Sequence, residues 1–218
     1  MALMGKVVRA PAGAQGFDTD TVVNQHQAQQ LRAAGFAFCL RYLSRAEGES
    51  SGDLTAAEAG RLLDAGLALM PIQHVARRGW APTAELGTTN GKAAASNAMA
   101  VGFPQGVNIW LDLEGVLGSV LSEEVIRYCN AWFFEVESVG FVTGLYVGAE
   151  AILTGDELFW RLKTNHYWRS ASRVPPIPHR GYQMFQALAP SPVPGISIDR
   201  NVTKDDGFGD SVFWLSPS

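Results

Sequence analysis

Hydrophobic positions along this chain change period again and again. Short apolar runs read as strands, and longer stretches with apolar residues three and four apart read as helices. The run "AQGFDT" (14–19) is a first strand. "QHQAQQLRAAG" (25–35) follows with helical spacing and a stop at Gly35. "FAFCLRYL" (36–43) is a second strand. "TAAEAGRLLDAG" (55–66) is a helix opened by a capping box of Thr55 with Glu58 and closed by Gly66. "LALMPIQHV" (67–75) is a third strand, and after a polar stretch comes the alanine-rich helix "NGKAAASNAMAVG" (90–102). "NIWLDLEG" (108–115) is the fourth strand, and "LSEEVIRYCNAWFFEVESVG" (121–140) the longest helix, with Ser122 as its N-cap. "TGLYVG" (143–148) and the short helix "GDELFWRLK" (155–163) continue the alternation. Three more strands, "HYWRSAS" (166–172), "GYQMFQAL" (181–188) and "ISIDRNV" (196–202), follow with little helix between them, and "VFWL" (212–215) reads as a closing edge strand.

Eight strands with helices between the earlier ones imply a parallel sheet. The expected architecture is an α/β fold, a (β/α)8 TIM-like barrel with degenerate late helices. A doubly wound open sheet is the alternative. No repeat or linker divides the chain, so one domain is expected over 1–218, with its core at about 15–203. Neither a GxGxxG after the first strand nor a P-loop occurs, which removes the usual nucleotide sites.

Composition narrows the function classes. With 218 residues, 47% of them hydrophobic, the chain has material for one full core. Charged residues make up only 17%, and the net charge of −4 argues against a nucleic-acid partner, which selects a basic face. Cys39 and Cys129 lie in apolar runs and read as buried thiols rather than a disulfide or a zinc site. No run approaches the length of a membrane span, and residues 1–15 lack the apolar core of a signal peptide. The expectation is a protein made in the cytoplasm without a signal peptide, with no membrane insertion, reaching any outside target by release or delivery.

Functional groups of a parallel barrel gather at the C-terminal ends of its strands. Asp18 ends the first strand; Arg41 and Tyr42 end the second; Gln73 and His74 end the third; Asp112 and Glu114 end the fourth. Tyr146 ends the fifth, Gln183 and Gln186 lie on the seventh, and Asp199 lies toward the end of the eighth. Side chains alternate along a strand, so Trp110, Asp112 and Glu114 share one face, with the two carboxylates' Cα atoms about 6.5–7 Å apart. Crowded like charges split their pKa values, leaving one acid protonated and one ionised. Glycoside hydrolysis needs that division of labour, one carboxyl giving a proton to the leaving oxygen and another facing the cationic carbon. Other uses stay open: a carboxylate cluster binds magnesium or calcium, Arg41 can neutralise Asp18 or Asp112, and Asp199 with Arg200 can be a surface pair. Tyr42, Trp110, Tyr146, Trp168 and Tyr182 are either core aromatics or flat faces for sugar rings. No GxSxG or cysteine–histidine arrangement supports a nucleophilic triad.

Taken in order, "GFDTDT", "GFAFCLRYLS", "LLDAGLALMPIQ", "WLDLEG", "TGLYVG", "YQMFQ" and "ISIDRNV" resemble the glycoside-hydrolase-like domain family first catalogued as a domain of unknown function, a distant relative of the family 25 lysozymes. The resemblance runs from about residue 15 to about residue 203. The ending "RYLS" of the second strand is a feature of that group, whereas "YWRSAS" stands where the lysozymes carry an apolar strand and a tyrosine. The resemblance implies a barrel acting on peptidoglycan glycan strands without a cofactor or metal. It places the general acid at Glu114. Asp112 is implied as nucleophile, as stabiliser of the cationic transition state, or as the group orienting the substrate's N-acetyl arm. Asp18 and Asp199 would line the cleft and tune the pair, with Arg41, Tyr42, Gln73, Tyr146, Trp168, Gln183 and Gln186 as substrate-binding residues. The expected activity is that of a muramidase, such as a phage endolysin or a delivered toxin. The alternatives are a glycan-binding barrel without catalysis and a glycosidase for another polysaccharide.

Overall fold

Near-continuous apolar runs let the central strands be buried on both faces, against the lumen and against the helices. In a computed structural model, which describes residues 2–48 and 51–218, the strands are β1 (Lys6–Arg9), β2 (Gln15–Thr19), β3 (Phe38–Leu43), β4 (Ala68–Gln73), β5 (Asn108–Leu113), β6 (Val142–Val147), β7 (Tyr167–Arg169), β8 (Met184–Ala187), β9 (Asp199–Thr203) and β10 (Phe213–Ser216). The helices are α1 (Gln25–Ala33), α2 (Ala56–Asp64), α3 (Ala84–Val101), α4 (Ser122–Ser138) and α5 (Gly155–Arg161). Strands β2 to β9 form a closed eight-stranded barrel in the order β4-β3-β2-β9-β8-β7-β6-β5, with β5 returning to pair with β4.

The barrel is not parallel throughout. Strands β2 to β8 run parallel, but β9 is antiparallel to both its neighbours, β8 and β2. A parallel return needs a crossover of a dozen or more residues, usually helical. The connection 188–198 is shorter, carries Pro190, Pro192 and Pro194, and contains no helix. The chain therefore turns at the barrel mouth and comes straight back down. As a result Asp199 starts its strand rather than ending it, and it still lies at the mouth, directly opposite Asp18 across the β2–β9 ladder.

Other departures have local causes. The helix expected over 90–102 begins at Ala84, where the Thr83 hydroxyl accepts the Leu86 N–H as its cap. Its early glycines do not break it; they let α4 approach. A Cβ on Gly87 would lie 2.3 Å from the Tyr128 carbonyl oxygen, and one on Gly91 2.8 Å from that of Trp132. The capping box of α2 is half made: Thr55 accepts the Glu58 N–H, but the Glu58 carboxylate turns inward. Helix α4 starts at Ser122 with Leu121 as N-cap and no side-chain cap, the Ser122 hydroxyl being engaged by Glu157. Strand β1 has no counterpart in the sequence reading, because its four residues are mostly exposed and carry no alternation. The "VFWL" run forms β10, which pairs antiparallel with β1 and meets β4 at Leu215 and Leu69. The Phe213 N–H donates to the Asn108 side chain at 2.7 Å, so β10 closes the lower seam between β4 and β5.

Bulky side chains fill the barrel lumen beneath the mouth. Trp110 and Trp168 meet edge-on with ring centroids 5.8 Å apart, and both are fully buried. Gly144 faces Trp110 on the next strand, where a Cβ would lie 2.5 Å from the indole. Both cysteines are buried free thiols. No helix among the described residues is long and apolar enough to cross a membrane.

Candidate active site

Above this apolar floor the mouth opens as a cleft of about 330 Å³ lined by Asp18, Asp112, Glu114 and Asp199, with Tyr42 and His74 on one wall and Asp20 at the rim. Strand alternation explains the gathering. Asp112 stands directly above Trp110 on the lumen face of β5, and Glu114 continues that face just past the strand end. The Trp80 indole N–H donates to the Glu114 carbonyl at 2.8 Å and holds the backbone there. Gly148, after β6, leaves room for the side chain: a Cβ there would lie 2.4 Å from Glu114 Cβ. Tyr42 stacks on His74 with centroids 4.6 Å apart, and His74 Nε2 lies 3.0 Å from Asp53.

The four carboxyls differ in solvation. Asp112 is 4% exposed, and its Oδ1 has no hydrogen-bond partner among the described residues. Burial, then the charges of Glu114 and Asp18, hold its pKa well above the usual carboxylate range. Glu114 is half-buried, and burial raises its pKa too. Asp112 is thus the more deeply buried member of the pair, and Glu114 is the one that faces solvent. Asp18 is pushed up to about 7, chiefly by burial, against hydrogen bonds from Asn201 and Gln186 and with a further push from Asp199. Asn201 donates to Asp18 Oδ1 at 2.7 Å. Asp199 is half-buried and raised by burial and then by Asp20. No lysine or arginine among the described residues lines the cleft.

The structure brings Asp18, Asp112, Glu114, Asp199 and Tyr42 to the cleft, with Tyr146 and Gln186 behind the carboxylates. Four other expected contacts do not reach it. Arg41 is fully buried on the outer face of β3, paired with Glu58 at 2.7 Å and donating to the Thr19 and Gly52 carbonyls. Gln73 points to the helix layer, accepting from the Trp132 indole at 2.7 Å and donating to the Asn90 carbonyl at 2.8 Å. Gln183 is fully buried outside the lumen, accepting from the Tyr167 N–H and donating to Asp206. In each case the strand neighbour, Tyr42, His74 or Met184, takes the inward position and alternation turns the residue out. Trp168 faces the lumen but is enclosed, edge-on to Trp110 and Tyr146. Asn201 and Asp20 were missed, although each follows a chosen aspartate by two residues and so falls on the same face. Among the described residues no three of His, Cys, Asp and Glu converge to cage a metal ion.

A closed α/β barrel whose mouth gathers four carboxyls, two buried and two half-buried, is the frame of a glycoside hydrolase-like domain. The chain belongs to the Rv2525c-like, glycoside hydrolase-like domain family, whose model matches residues 29–203. No curated protein matches the chain. An uncharacterized protein of B. stearothermophilus superposes with a TM-score of 0.64 at 20% identity, over 88% of this chain and 96% of that one. The bacterial lysozyme from Streptomyces coelicolor gives 0.57 at 18% identity, over 89% and 93%. A family 25 glycosyl hydrolase from Bacillus anthracis gives 0.56 at 13% identity, over 88% and 89%. At these identities the likeness is one of fold.

Proposed function

We propose that this protein is a peptidoglycan hydrolase of the muramidase type, cleaving the β-1,4 bond beside N-acetylmuramic acid. The observation that carries the reading is the Asp112–Glu114 pair: two carboxyls on one face, one fully desolvated and one at the solvent edge of the cleft, both with raised pKa. A carboxyl with a raised pKa still holds a proton in mild acid and gives it to a leaving oxygen. Glu114 takes that role because it is the accessible member. Asp112, neutral beside it, does not repel the carboxylate that Glu114 becomes. A neutral Asp112 does not act as the charged stabiliser of the transition state, and Asp18, pushed up to about 7, also holds its proton in mild acid, so that role falls to Asp199, the more exposed acid of the opposite wall. Asp112 instead offers a hydrogen-bonding edge for a substrate polar group such as the acetamido arm.

Lysozymes and lytic enzymes among the similar folds support wall glycan as the substrate. Action on the wall after release from the cytoplasm, as in phage lysis, fits this reading. The test is digestion of purified cell walls followed by identification of the new reducing ends. Release of N-acetylmuramic acid ends supports a muramidase, and N-acetylglucosamine ends place the cut at the other linkage. Binding to walls with no new ends supports the glycan-binding barrel.

A further inference from the structure

Two carboxylates placed side by side need something between them. The usual agents are a cation or a shared proton. Asp18 and Asp199 are direct partners across the antiparallel β2–β9 ladder, and the cleft they line contains no lysine or arginine among the described residues. The group that reaches both is a neutral side chain from β8. Gln186 Nε2 lies 3.1 Å from Asp18 Oδ1 and 3.3 Å from Asp199 Oδ2. Its other end is held as well. The Tyr146 hydroxyl donates to Gln186 Oε1 at 2.8 Å, and the Ala171 N–H points to the same oxygen at 3.4 Å. A backbone N–H can only donate, so the amide oxygen must face it and the amide nitrogen must face the acids. The flip is settled by the network, and the two hydrogens of Nε2 are left for the two carboxylates.

We propose that Gln186 is the positioning residue of the cleft: locked by Tyr146 and Ala171, its carboxamide clamps Asp18 and Asp199 side by side at the mouth and eases their joint ionisation. The inference rests on the carboxylate cleft being the working site of the proposed hydrolase, and it assigns Gln186 to the acids rather than to the sugar. The groups around Asp18 make its charge sensitive to such a clamp. Asp199 and Asn201 face it from β9, Asp112 and Glu114 from the β5 end, Tyr42 from β3 and Tyr146 from β6, with Asp20 and His74 at the edge. Apart from the amides, these groups are acids, phenols and one imidazole, so the side-chain hydrogen bonds from Asn201 and Gln186, with a smaller backbone contribution, are what oppose burial. Loss of one hydrogen bond to a charged acceptor moves its titration by about one to two pH units.

The test is a carboxyl-carbon NMR titration of Asp18 in the wild-type protein, in Gln186→Met and in Tyr146→Phe. This readout needs no substrate, so it stands even if no wall is digested. The expected result is a wild-type midpoint near 7, a midpoint about one to two units higher in Gln186→Met, and a smaller rise in Tyr146→Phe. If Gln186→Met does not fold, the Tyr146→Phe shift decides. An unchanged or lowered Asp18 midpoint overturns the clamp, whereas absence of lysis with a raised midpoint overturns only the hydrolase reading.

Discussion

Arg41 and Asp112 are both ionisable side chains buried in the wall of one barrel, and they are accommodated by opposite means. Arg41 lies between β3 and the helices, and all three guanidinium nitrogens are hydrogen-bonded. Its counter-charge Glu58 also accepts the Val23 N–H at 2.8 Å, so the pair ties β3, α2 and the approach to α1 into one unit. Asp112 has no cation beside it, two acids for neighbours and an oxygen with no partner among the described residues. The first arrangement matches charges and satisfies donors and acceptors, as structural polar groups do. The second concentrates like charge and leaves it desolvated, as catalytic sites do. The barrel thus keeps its two kinds of buried polarity on opposite faces of its sheet.

Breaking the structural side should give the largest effect on stability. Arg41→Ala leaves Glu58 charged and alone, and is expected to cost about 3–5 kcal/mol in urea unfolding. The double change Arg41→Met with Glu58→Met should cost far less, because it removes both charges. Equal losses from the single and double variants would mean that packing, not charge matching, is what Arg41 supplies.

The cleft side should respond in the other direction. Asp18 has a folded-state pKa raised to about 7 from the 3.8 of an ordinary carboxyl, so between those values the native state binds more protons than the unfolded chain. Stability then falls as pH rises through that window. Asp18→Asn removes the slope. It should stabilise the protein by up to about 4 kcal/mol at pH 8, with little change at pH 3, measured by thermal unfolding at both. A loss of stability at pH 8 would place Asp18 with the matched groups instead.

Smaller effects sharpen the contrast. Gly148→Ala should push Glu114 aside, costing about 1–3 kcal/mol and cutting reducing-end release by about tenfold or more. A fully active Gly148→Ala would mean that the position of Glu114 is not critical. Asp112→Asn should change stability at pH 4 by less than about 1 kcal/mol, because burial and the neighbouring acids hold the Asp112 pKa well above the usual carboxylate range. A gain of several kcal/mol would show that Asp112 carries charge in the native protein.

Much of the site was legible because one rule, period-two alternation, governs it. It put Asp112 and Glu114 on one face. Applied as strictly elsewhere, it also turns Arg41, Gln73 and Gln183 away from the lumen and adds Asn201 and Asp20. Proximity to a strand end alone was the weaker guide, and it failed wherever the adjacent residue held the inward position. The reversed course of β9 was written in the short, proline-rich connection 188–198, although a strand count alone suggested a parallel strand. Asp199 reached the mouth either way. The early start of α3 was hidden because residues 84–89 lie in a polar stretch; the purpose of Gly87 and Gly91 lies in the close approach of α4, which is not local in sequence. The link from Tyr146 through Gln186 to Asp18 joins three strands, and spacing along the chain does not encode it.

The most direct measurement is reducing-end release from purified peptidoglycan in mild acid by the wild-type protein and by Glu114→Gln. Loss of a general acid slows hydrolysis by about 100-fold to 10,000-fold. The wild type should release N-acetylmuramic acid ends, and Glu114→Gln should fall by that factor while unfolding at the same temperature. Equal release by the two proteins would contradict Glu114 as the proton donor, and no release from any wall by the wild type would contradict the hydrolase itself.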